Sequence, residues 1–580
     1  MKNNEWTSIS WIRHLRTRAR TFDFLIISIF SSSLGLRWLI PATIYPNSPN
    51  DDYLGVMLAH NLIRGHWFGG WSPDLLSKPP AYSFFLMIAH FIPVDPTVLI
   101  HLFYLLISLL FLKFTVDFFS GSDESKKLFI RVGFLFLAFN PAVFANDFSR
   151  IYRTSLDTLA TFLFFTLFLK LLTLLRDIYF SGDRLAWKHT SIKTYSWIGI
   201  SLGLTYSVMV LTRYEAIWVL IATIPVLFAV WIFSISRNEI KWKLKNKYRS
   251  GVILINLFVI ATVAYLIPVG VISTINKAVY GVFEVENFFS GNYERAITLW
   301  EGVQTGKSNL SFIPVSKGQR AAVYAVSPAA LSLKPFLDGL PNTGWKTHNC
   351  AATGVCDESG GGWFPWELRS AAVDSNHIRN EVQFQDFFGR LADEISLACK
   401  SELISCGSSG MAPGAKPILD YSPHQLLDTS VKAFGSLFTL EQAANVNHAD
   451  NGQDPAQLKV WHSTIHFNYL IVTKNSNSWM GMANTITFLR DIYRYLLPIF
   501  FILAMLFLFI RQEYINRISK FYLFSLILGL ITYSGGMAIF ESSVGFNVGY
   551  SLYALPMQPV LLMFIIFGSA AMTLRPKEIL

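Results

Sequence analysis

Two adjacent carboxylates and a lysine stand in one stretch of the chain, residues 50–80, directly after the first long apolar segment. Asp51 and Asp52 open this stretch, an amphipathic segment and a Gly/Trp/Pro-rich turn follow, and Lys78 precedes two prolines and the next apolar segment. Charged side chains at a membrane surface are costly unless they are paired or used. The stretch therefore predicts a site where a carboxylate accepts a proton beside a bound anion.

Two further charged segments lie near the ends of apolar segments on the same predicted side of the membrane. They contribute Arg153 and Asp157, from the loop RIYRTSLD at 150–157, and the triplet Arg213-Tyr214-Glu215. Arginine binds phosphate through paired, charge-assisted hydrogen bonds, and a preorganised site of low dielectric stabilises a leaving phosphate more strongly than water does. Together with Asp51 and Lys78, these residue types predict transfer from a phosphate-linked donor to an acceptor hydroxyl.

The composition predicts a mostly α, polytopic membrane protein. Of the 580 residues, 52% are hydrophobic and only 15% are charged, whereas soluble proteins carry roughly 25% charged residues. The net charge of +10 comes from basic residues clustered in short loops between apolar segments. That pattern is typical of membrane topology signals and excludes a nucleic-acid interface as the source of the charge.

Ten apolar segments are predicted to span the membrane, since a spanning helix needs about 20 residues. They are Phe22–Ile44, Val98–Phe119, Leu128–Asn146, Leu156–Leu175, Trp197–Leu211, Ala216–Ile235, Val252–Ile272, Ile492–Ile510, Phe521–Phe540 and Leu552–Met572. The first segment is too long for a cleaved signal peptide and no clear cleavage site follows it. Tyr53–Ile63 and Ala81–Ile92 are too short to span and are predicted to lie on the outer surface as interfacial helices.

The loop charges set the predicted orientation. With the basic N-terminus inside, every predicted inner loop carries lysine or arginine, as the positive-inside rule requires. The chain then divides into a membrane module at 1–272 with its first outer loop at 45–96, an extracytoplasmic domain at 273–490, and C-terminal membrane helices at 491–580. We expect the extracytoplasmic domain to be mixed α/β or α-rich, with a helix at Gln383–Lys400 whose apolar residues recur at helical spacing.

All four cysteines fall in the predicted extracytoplasmic domain, as two close pairs. Spacings of six and seven residues predict local disulfides, Cys350–Cys356 and Cys399–Cys406, in an oxidising compartment. Zinc binding is the alternative, but neither pair has the two-to-four-residue gap of zinc knuckles. A metal site built from His448, His462 and His466 lacks a clear fourth ligand, so no metal or other cofactor is predicted, although a divalent metal stays an alternative.

An ordered set of motifs resembles the GT-C glycosyltransferases, in particular the group of protein O-mannosyltransferases and the lipid A aminoarabinose transferase. The motifs are Asp-acid-Tyr at 51–53, Lys-Pro-Pro at 78–80, an acid after the third span, and Leu-Thr-Arg-Tyr-Glu-Ala at 211–216. The resemblance covers roughly residues 20–270. The family's arginine before the prolines of its last segments is missing here, where the sequence reads YSLYALP at 550–556.

The resemblance implies roles for individual residues. The first acid of the outer-loop pair is the family's catalytic base, which implies Asp51 as the base and Asp52 as the neighbour that orients it or substitutes for it. The lysine before Pro-Pro contacts donor phosphate, which implies that role for Lys78. The acid after the third span corresponds to Asp157 and the arginine of the outer triplet to Arg213. The donor would be a polyprenyl-phosphate-linked sugar, and the acceptor a glycan, a lipid or a protein.

Structural roles are the alternative for each of these residues. Asp51 and Asp52 could cap the helix that follows them, Lys78 could extend to lipid headgroups, and Arg213 and Glu215 could form an ion pair at a tight turn. Arg150 and Arg153 could pair with acids of their own loop.

Other functions stay open for the whole chain. They are a secondary transporter, a catalytically inactive GT-C-like binding or assembly protein, and a metal-dependent transferase with a pyrophosphate-linked donor. A transporter would place ionisable residues at the membrane midplane, whereas here they lie at the outer ends of the spans. We expect an integral protein of the bacterial inner membrane, with its site and large domain facing the periplasm.

Overall fold

The computed structural model describes most of the chain. The described residues are 23–40, 42–43, 49–180, 192–236, 244–306, 310–339, 343–408, 410, 413–415, 417–440, 455–466, 477–510, 517–544 and 550–576. Helices dominate them, and a two-residue antiparallel ladder joins β1 (Phe119–Ser120) to β2 (Arg575–Pro576). The predicted mostly α architecture is confirmed.

Within the described ranges, seven helices are long and apolar enough to cross a membrane. They are built on α4 (Pro96–Phe118), α6 (Thr154–Phe180), α8 (Ile217–Ser236), α9 (Leu244–Tyr280), α18 (Asn477–Ile510), α19 (Arg517–Val544) and α20 (Gln558–Thr573). Each overlaps a predicted span, although α9 and α18 extend well beyond theirs. The chain is therefore an integral membrane protein with several spanning helices.

The other three predicted spans are also helices, but shorter or shifted. The first is α1 (Phe24–Leu39, 16 residues) and the third is α5 (Asp123–Ala138, 16 residues), each about 24 Å long against a hydrocarbon core of about 30 Å. A proline follows each early end, Pro41 after α1 and Pro141 after α5, and proline disfavours helical conformation in the residue that precedes it. The fifth is α7 (Ile192–Val210, 19 residues), which begins before the predicted boundary.

The spanning helices carry lipid-facing stripes. On α8 the exposed large residues Ile217, Ile221, Ile224, Phe228 and Ile232 recur every three or four positions, which places them on one face. The opposite face is buried, with Trp218, Val219, Ala222 and Val226 in the main core. A helix that is apolar on both its buried and its exposed face is typical of a membrane protein.

The two predicted interfacial segments form short helices that pack against each other. α2 (Leu54–Ile63) and α3 (Ala81–Phe91) meet where the Ser83 hydroxyl donates to the Gly55 carbonyl (2.9 Å). The Ala81 amide donates to the Leu211 carbonyl (2.8 Å) at the end of α7. This contact brings the Lys78 loop to the segment that carries Arg213.

The region between α9 and α18 is helical, and its residues 293–395 have their own core, whereas Ala433, Leu437 and Trp461 belong to the main core. Its helices are α10 (Gly291–Glu301), α11 (Lys317–Tyr324), α12 (Pro328–Leu337), α13 (Thr343–Thr353), α14 (Phe364–Asn376), α15 (Glu381–Lys400), α16 (Pro423–Thr439) and α17 (Pro455–Thr464). The predicted helix at Gln383–Lys400 lies within α15. Among the described residues of this region, β structure is limited to an isolated β-bridge between Val303 and Cys406. Of the two predicted forms, mixed α/β and α-rich, the α-rich form is therefore the one observed.

Both predicted disulfides are present. Cys350 is bonded to Cys356, and Cys399 at the end of α15 is bonded to Cys406. Because the chain contains four cysteines, no native thiol is left free.

The predicted orientation can be tested by labelling, since the native chain offers no competing thiol. Glu124 is exposed in the first turn of α5, at its predicted inner end, and Asp374 is exposed on α14 of the predicted outer domain. In intact cells we expect a membrane-impermeant maleimide to label Asp374→Cys and to label Glu124→Cys only after permeabilisation. Labelling of Glu124→Cys in intact cells would reverse the assigned orientation.

Candidate active site

The two adjacent aspartates take different partners. They lie in a single π-helical turn, Pro49–Tyr53, that leads into α2. Neighbouring side chains on a helical turn point about 100° apart, so one carboxylate turns inward and the other faces an open cavity. Asp52 has a fully buried side chain, whereas that of Asp51 is 46% exposed.

Asp52 forms a buried ion pair with Arg150. The Arg150 Nε donates to one carboxylate oxygen (2.7 Å) and its Nη2 to the other, a bidentate geometry that fixes both side chains. A β-bridge joins Thr43 to Arg150, with the Ile151 amide donating to the Thr43 carbonyl (2.9 Å). The pair therefore holds the RIYRTSLD loop against the turn that carries Asp51.

Asp51 accepts two hydrogen bonds at the cavity. The Lys78 ammonium donates to its Oδ1, and the Tyr152 hydroxyl donates to the same oxygen (3.3 Å). The Lys78 side chain is 11% exposed. The open cavity beside them is lined by both aspartates and Lys78, with Tyr82, Tyr152 and Arg153 among the other lining residues.

The site's charges separate the two acids in basicity. Burial alone would raise the pKa of Asp51, but Lys78, with Arg153 and Arg150, outweighs burial and lowers that pKa to about 2. For Asp52, burial prevails over the Arg150 contacts and raises the pKa to about 6. Burial also lowers the pKa of Lys78, to about 8, although Asp51 acts in the opposite direction. At neutral pH the carboxylates are ionised and the lysine is charged.

Arg153 connects this cluster to the second one. It donates to the Tyr152 hydroxyl from Nε (3.3 Å) and to the Thr212 carbonyl from Nη1 (3.4 Å). Burial lowers the pKa of Arg153, but Tyr152, Glu215 and Asp51 together raise it, while Arg213 opposes them. Arg153 thus lies within electrostatic range of both clusters, and its hydrogen-bond partners at these two atoms are neutral.

Arg213 pairs with Glu215 and keeps one nitrogen unused. Its Nη2 and Nε donate to the Glu215 carboxylate (3.1 and 3.3 Å), and its guanidinium lies over the Tyr553 ring (5.0 Å). Within the described residues its Nη1 is buried without a hydrogen-bond partner. A buried unsatisfied donor is costly in a folded protein, so this nitrogen indicates a position for an anionic ligand.

The remaining predicted residues flank Arg213. Asp157 is buried in the first turn of α6, close enough for its charge to act on Arg213. The Tyr214 ring packs against Phe289 (5.4 Å between centroids). The structure thus brings the predicted residues into two adjoining clusters, one around Asp51 and one around Arg213, with Arg153 between them.

Four contributors were missed as site residues by sequence reasoning. Arg150 was treated as a surface-loop charge, yet it pairs with Asp52. Tyr152 bonds Asp51, Tyr553 stacks on Arg213, and the Trp366 ring of α14 lies over the Lys78 ammonium (5.6 Å). Tyr152 stands inside the RIYRTSLD loop and could have been included with its neighbours. Trp366 carries no local signal, because it reaches the site from a different region of the chain.

No group of three or more His, Cys, Asp or Glu side chains in the described part of the chain could hold a metal ion. His448 lies outside the described residues. His466 follows α17 and its Nε2 contacts the His90 carbonyl (3.1 Å), while its ring stacks on His90 (4.8 Å). His462 lies on α17 itself.

Comparison with known proteins yields little similarity. No protein-family model matches the chain, and no curated protein sequence matches it. Among solved structures, it is similar to the apo form of the oligosaccharyltransferase of Archaeoglobus fulgidus, at 12% identity and a TM-score of 0.28. The alignment covers 76% of this chain and 63%, less than two thirds, of the archaeal chain. A TM-score this low does not establish a shared fold.

Proposed function

We propose that this protein is a membrane glycosyltransferase that moves a sugar from a polyprenyl-phosphate donor to an acceptor hydroxyl. One observation carries the proposal. A cavity-facing carboxylate, Asp51, is paired with Lys78 and shares its cavity with Arg153, and Arg153 lies within electrostatic range of Arg213. A proton acceptor next to an anion-binding group is the arrangement that such a transfer requires.

The donor phosphate takes the position bounded by these three cations. The site contains four carboxyl groups (Asp51, Asp52, Asp157, Glu215) and four cations (Lys78, Arg150, Arg153, Arg213). Two of the pairs, Asp52–Arg150 and Arg213–Glu215, are held by two hydrogen bonds each. Arg153 and the spare Nη1 of Arg213 are therefore the groups that gain most from an incoming phosphate.

The reaction is a single displacement at the anomeric carbon. Asp51 removes the proton of the acceptor hydroxyl, whose oxygen attacks the carbon while the bond from that carbon to the phosphate oxygen breaks. The electron pair leaves with the phosphate, which changes from a diester with one negative charge to a monoester that can carry two. Lys78, Arg153 and Arg213 therefore bind the transition state more strongly than the ground state. Attack opposite the leaving group inverts the configuration.

The Lys78–Asp51 ion pair makes the base depend on the donor. Before the donor binds, Lys78 outweighs the effect of burial and holds the pKa of Asp51 at about 2, and such a carboxylate is a weak base. When a donor phosphate draws the Lys78 ammonium away from Asp51, less positive charge opposes the effect of burial, and the pKa of Asp51 rises. Asp51 thus becomes an effective base only once the donor is bound, which protects the site from unproductive proton transfer.

The other predicted residues have supporting roles in this proposal. Asp52 positions the Arg150 loop and, as a buried and doubly bonded carboxylate, is poorly placed to replace Asp51 as base. Glu215 orients Arg213, and Asp157 and Tyr214 hold the surroundings of that arginine. No cofactor is required.

The proposal extends to the arrangement of the chain in the cell. The acceptor is a glycan, lipid or protein, and the protein resides in the bacterial inner membrane. Residues 1–272 form the catalytic membrane module, residues 273–490 the periplasmic domain, and residues 491–580 the closing membrane helices.

Donor binding tests the function directly. The purified chain in nanodiscs is expected to bind polyprenyl phosphate, and Arg153→Gln to weaken that binding roughly tenfold or more, because a charge-assisted hydrogen bond contributes about 1.5–3 kcal/mol. Arg295→Gln is the matched control, since Arg295 pairs with Asp393 on the exposed surface of α10 and α15. Equal affinities of all three proteins, or no binding by the wild type, would contradict a phosphate-linked donor.

A further inference from the structure

Trp366 occupies the face of α14 that is turned away from its own domain's core. Phe364, Leu368 and Ala371 of the same helix are buried in that core. Trp366 is separated from their mean direction by about half a turn and is half-buried. Its ring lies over the Lys78 ammonium, 5.6 Å from the centroid, so a residue of the 273–490 region contacts the lysine of the site.

Buried hydrogen bonds fix α14 relative to the Lys78 loop. Arg369, almost fully buried one turn after Trp366, donates from Nε to the Pro73 carbonyl (3.0 Å) and from Nη1 to the Asn287 side chain (2.6 Å). The Asn287 amide donates to the Leu76 carbonyl (2.7 Å). Positions i and i+3 of a helix share a face, so the anchoring of Arg369 also sets the position of Trp366.

Trp366 is the first member of a continuous aromatic wall. Its ring contacts Phe288 (5.2 Å between centroids), Phe288 contacts Phe289 (5.5 Å), and Phe289 contacts Tyr214 (5.4 Å). The wall consists of these four residues and runs from Lys78 to the residue that follows Arg213. It therefore borders the position that the proposed function gives to the donor phosphate.

We propose that Trp366 is the platform on which the sugar ring of the donor stacks. This inference rests on the proposed function, because it takes the phosphate to be held at Lys78. The sugar is bonded directly to that phosphate, so binding of the phosphate at Lys78 brings the sugar close to the indole that lies over this lysine. The C–H face of a sugar is apolar and packs against an aromatic face. An indole face binds the ring itself rather than a particular hydroxyl.

The test compares two probes on the same protein in nanodiscs: polyprenyl phosphate and the same lipid carrying a hexose on its phosphate. In the wild type we expect the hexose to increase affinity. Trp366→Leu should remove that increase, a loss of roughly two- to tenfold that exceeds any change in the affinity for polyprenyl phosphate. Trp366→Phe should retain most of the increase, because it keeps an aromatic face. Trp197→Leu, an exposed tryptophan on membrane helix α7, is the matched control.

The outcomes separate this inference from the function on which it rests. An equal loss for both probes in Trp366→Leu would mean that Trp366 acts only through Lys78 and the phosphate, and would overturn the platform. The platform would also be overturned if the hexose added no affinity in the wild type, or if its contribution persisted in Trp366→Leu. Neither result would contradict a phosphate-linked donor. Failure of the wild type to bind either lipid would instead overturn the proposed function, and the platform with it.

Discussion

Replacing Asp51 by asparagine is expected to lower turnover by about 10²–10⁴-fold, the usual contribution of a general base, while donor binding persists. Asparagine keeps the size of the side chain and an oxygen that can accept from Lys78, but it cannot take a proton. The measurement is single-turnover transfer at saturating donor, with donor affinity determined separately. Unchanged turnover in Asp51→Asn would reduce Asp51 to a helix-terminal charge and would end the proposed mechanism.

Asp52→Asn is the control that separates the two adjacent acids. Removing one charge of a buried ion pair typically costs on the order of 3–5 kcal/mol, because the partner is left unpaired. Asp52 is fully buried against Arg150, so we expect a lower unfolding temperature and only a modest change in turnover per folded molecule. The reverse ranking, with Asp52→Asn the less active and Asp51→Asn the less stable, would exchange the two roles.

The parts of the fold and site that could be predicted from sequence are those with local signals. The two disulfides close loops of six and seven residues, and the Arg213–Glu215 pair spans two residues. The long spans followed from apolar runs. Span ends were less accurate where proline intervened, as at Pro41 and Pro141, since hydropathy alone does not register a missing backbone donor.

The remainder depends on contacts between distant segments, which a single sequence does not encode locally. Asp51 and Asp52 are chemically equivalent in sequence, and only the turn that carries them decides which one faces the cavity. The choice between Arg150 and Arg153 as the partner of Asp52 likewise depends on how a β-bridge to Thr43 holds the loop. Trp366 reaches the site only because the Arg369 contacts seat its helix on the Lys78 loop.

The second large effect concerns Lys78 and appears as a pH dependence. Burial lowers the pKa of Lys78 to about 8, with Asp51 opposing it. Raising the pH through that value removes the ammonium charge that holds donor phosphate. We therefore expect kcat/KM, which reports the free enzyme, to fall above about pH 8, by roughly tenfold for each further pH unit. On the acidic side the ionisation of Asp51 should not limit activity until low pH, because its pKa is lowered to about 2, and the loss expected near pH 6 comes from protonation of Asp52, which weakens its ion pair with Arg150.

One substitution at this position assigns the alkaline limb. Lys78→Arg keeps a charge at all accessible pH values, so the decline above pH 8 should disappear even if the maximal rate is lower. Glu286 is the competing source, since burial raises its pKa to about 8, and a limb that arose from Glu286 would persist in Lys78→Arg.

Lys78→Met removes the charge and acts on both limbs. Donor affinity should fall roughly 10–100-fold, the effect of losing a hydrogen bond to a charged group. Asp51 would lose the cation that lowers its pKa, and burial would then raise that pKa, so activity should be lost at a higher pH on the acidic side than in the wild type. If the pH–rate profile of Lys78→Met kept the acidic limb of the wild type, Lys78 would not control the basicity of Asp51. The proposal that donor binding raises the pKa of Asp51 would then be wrong.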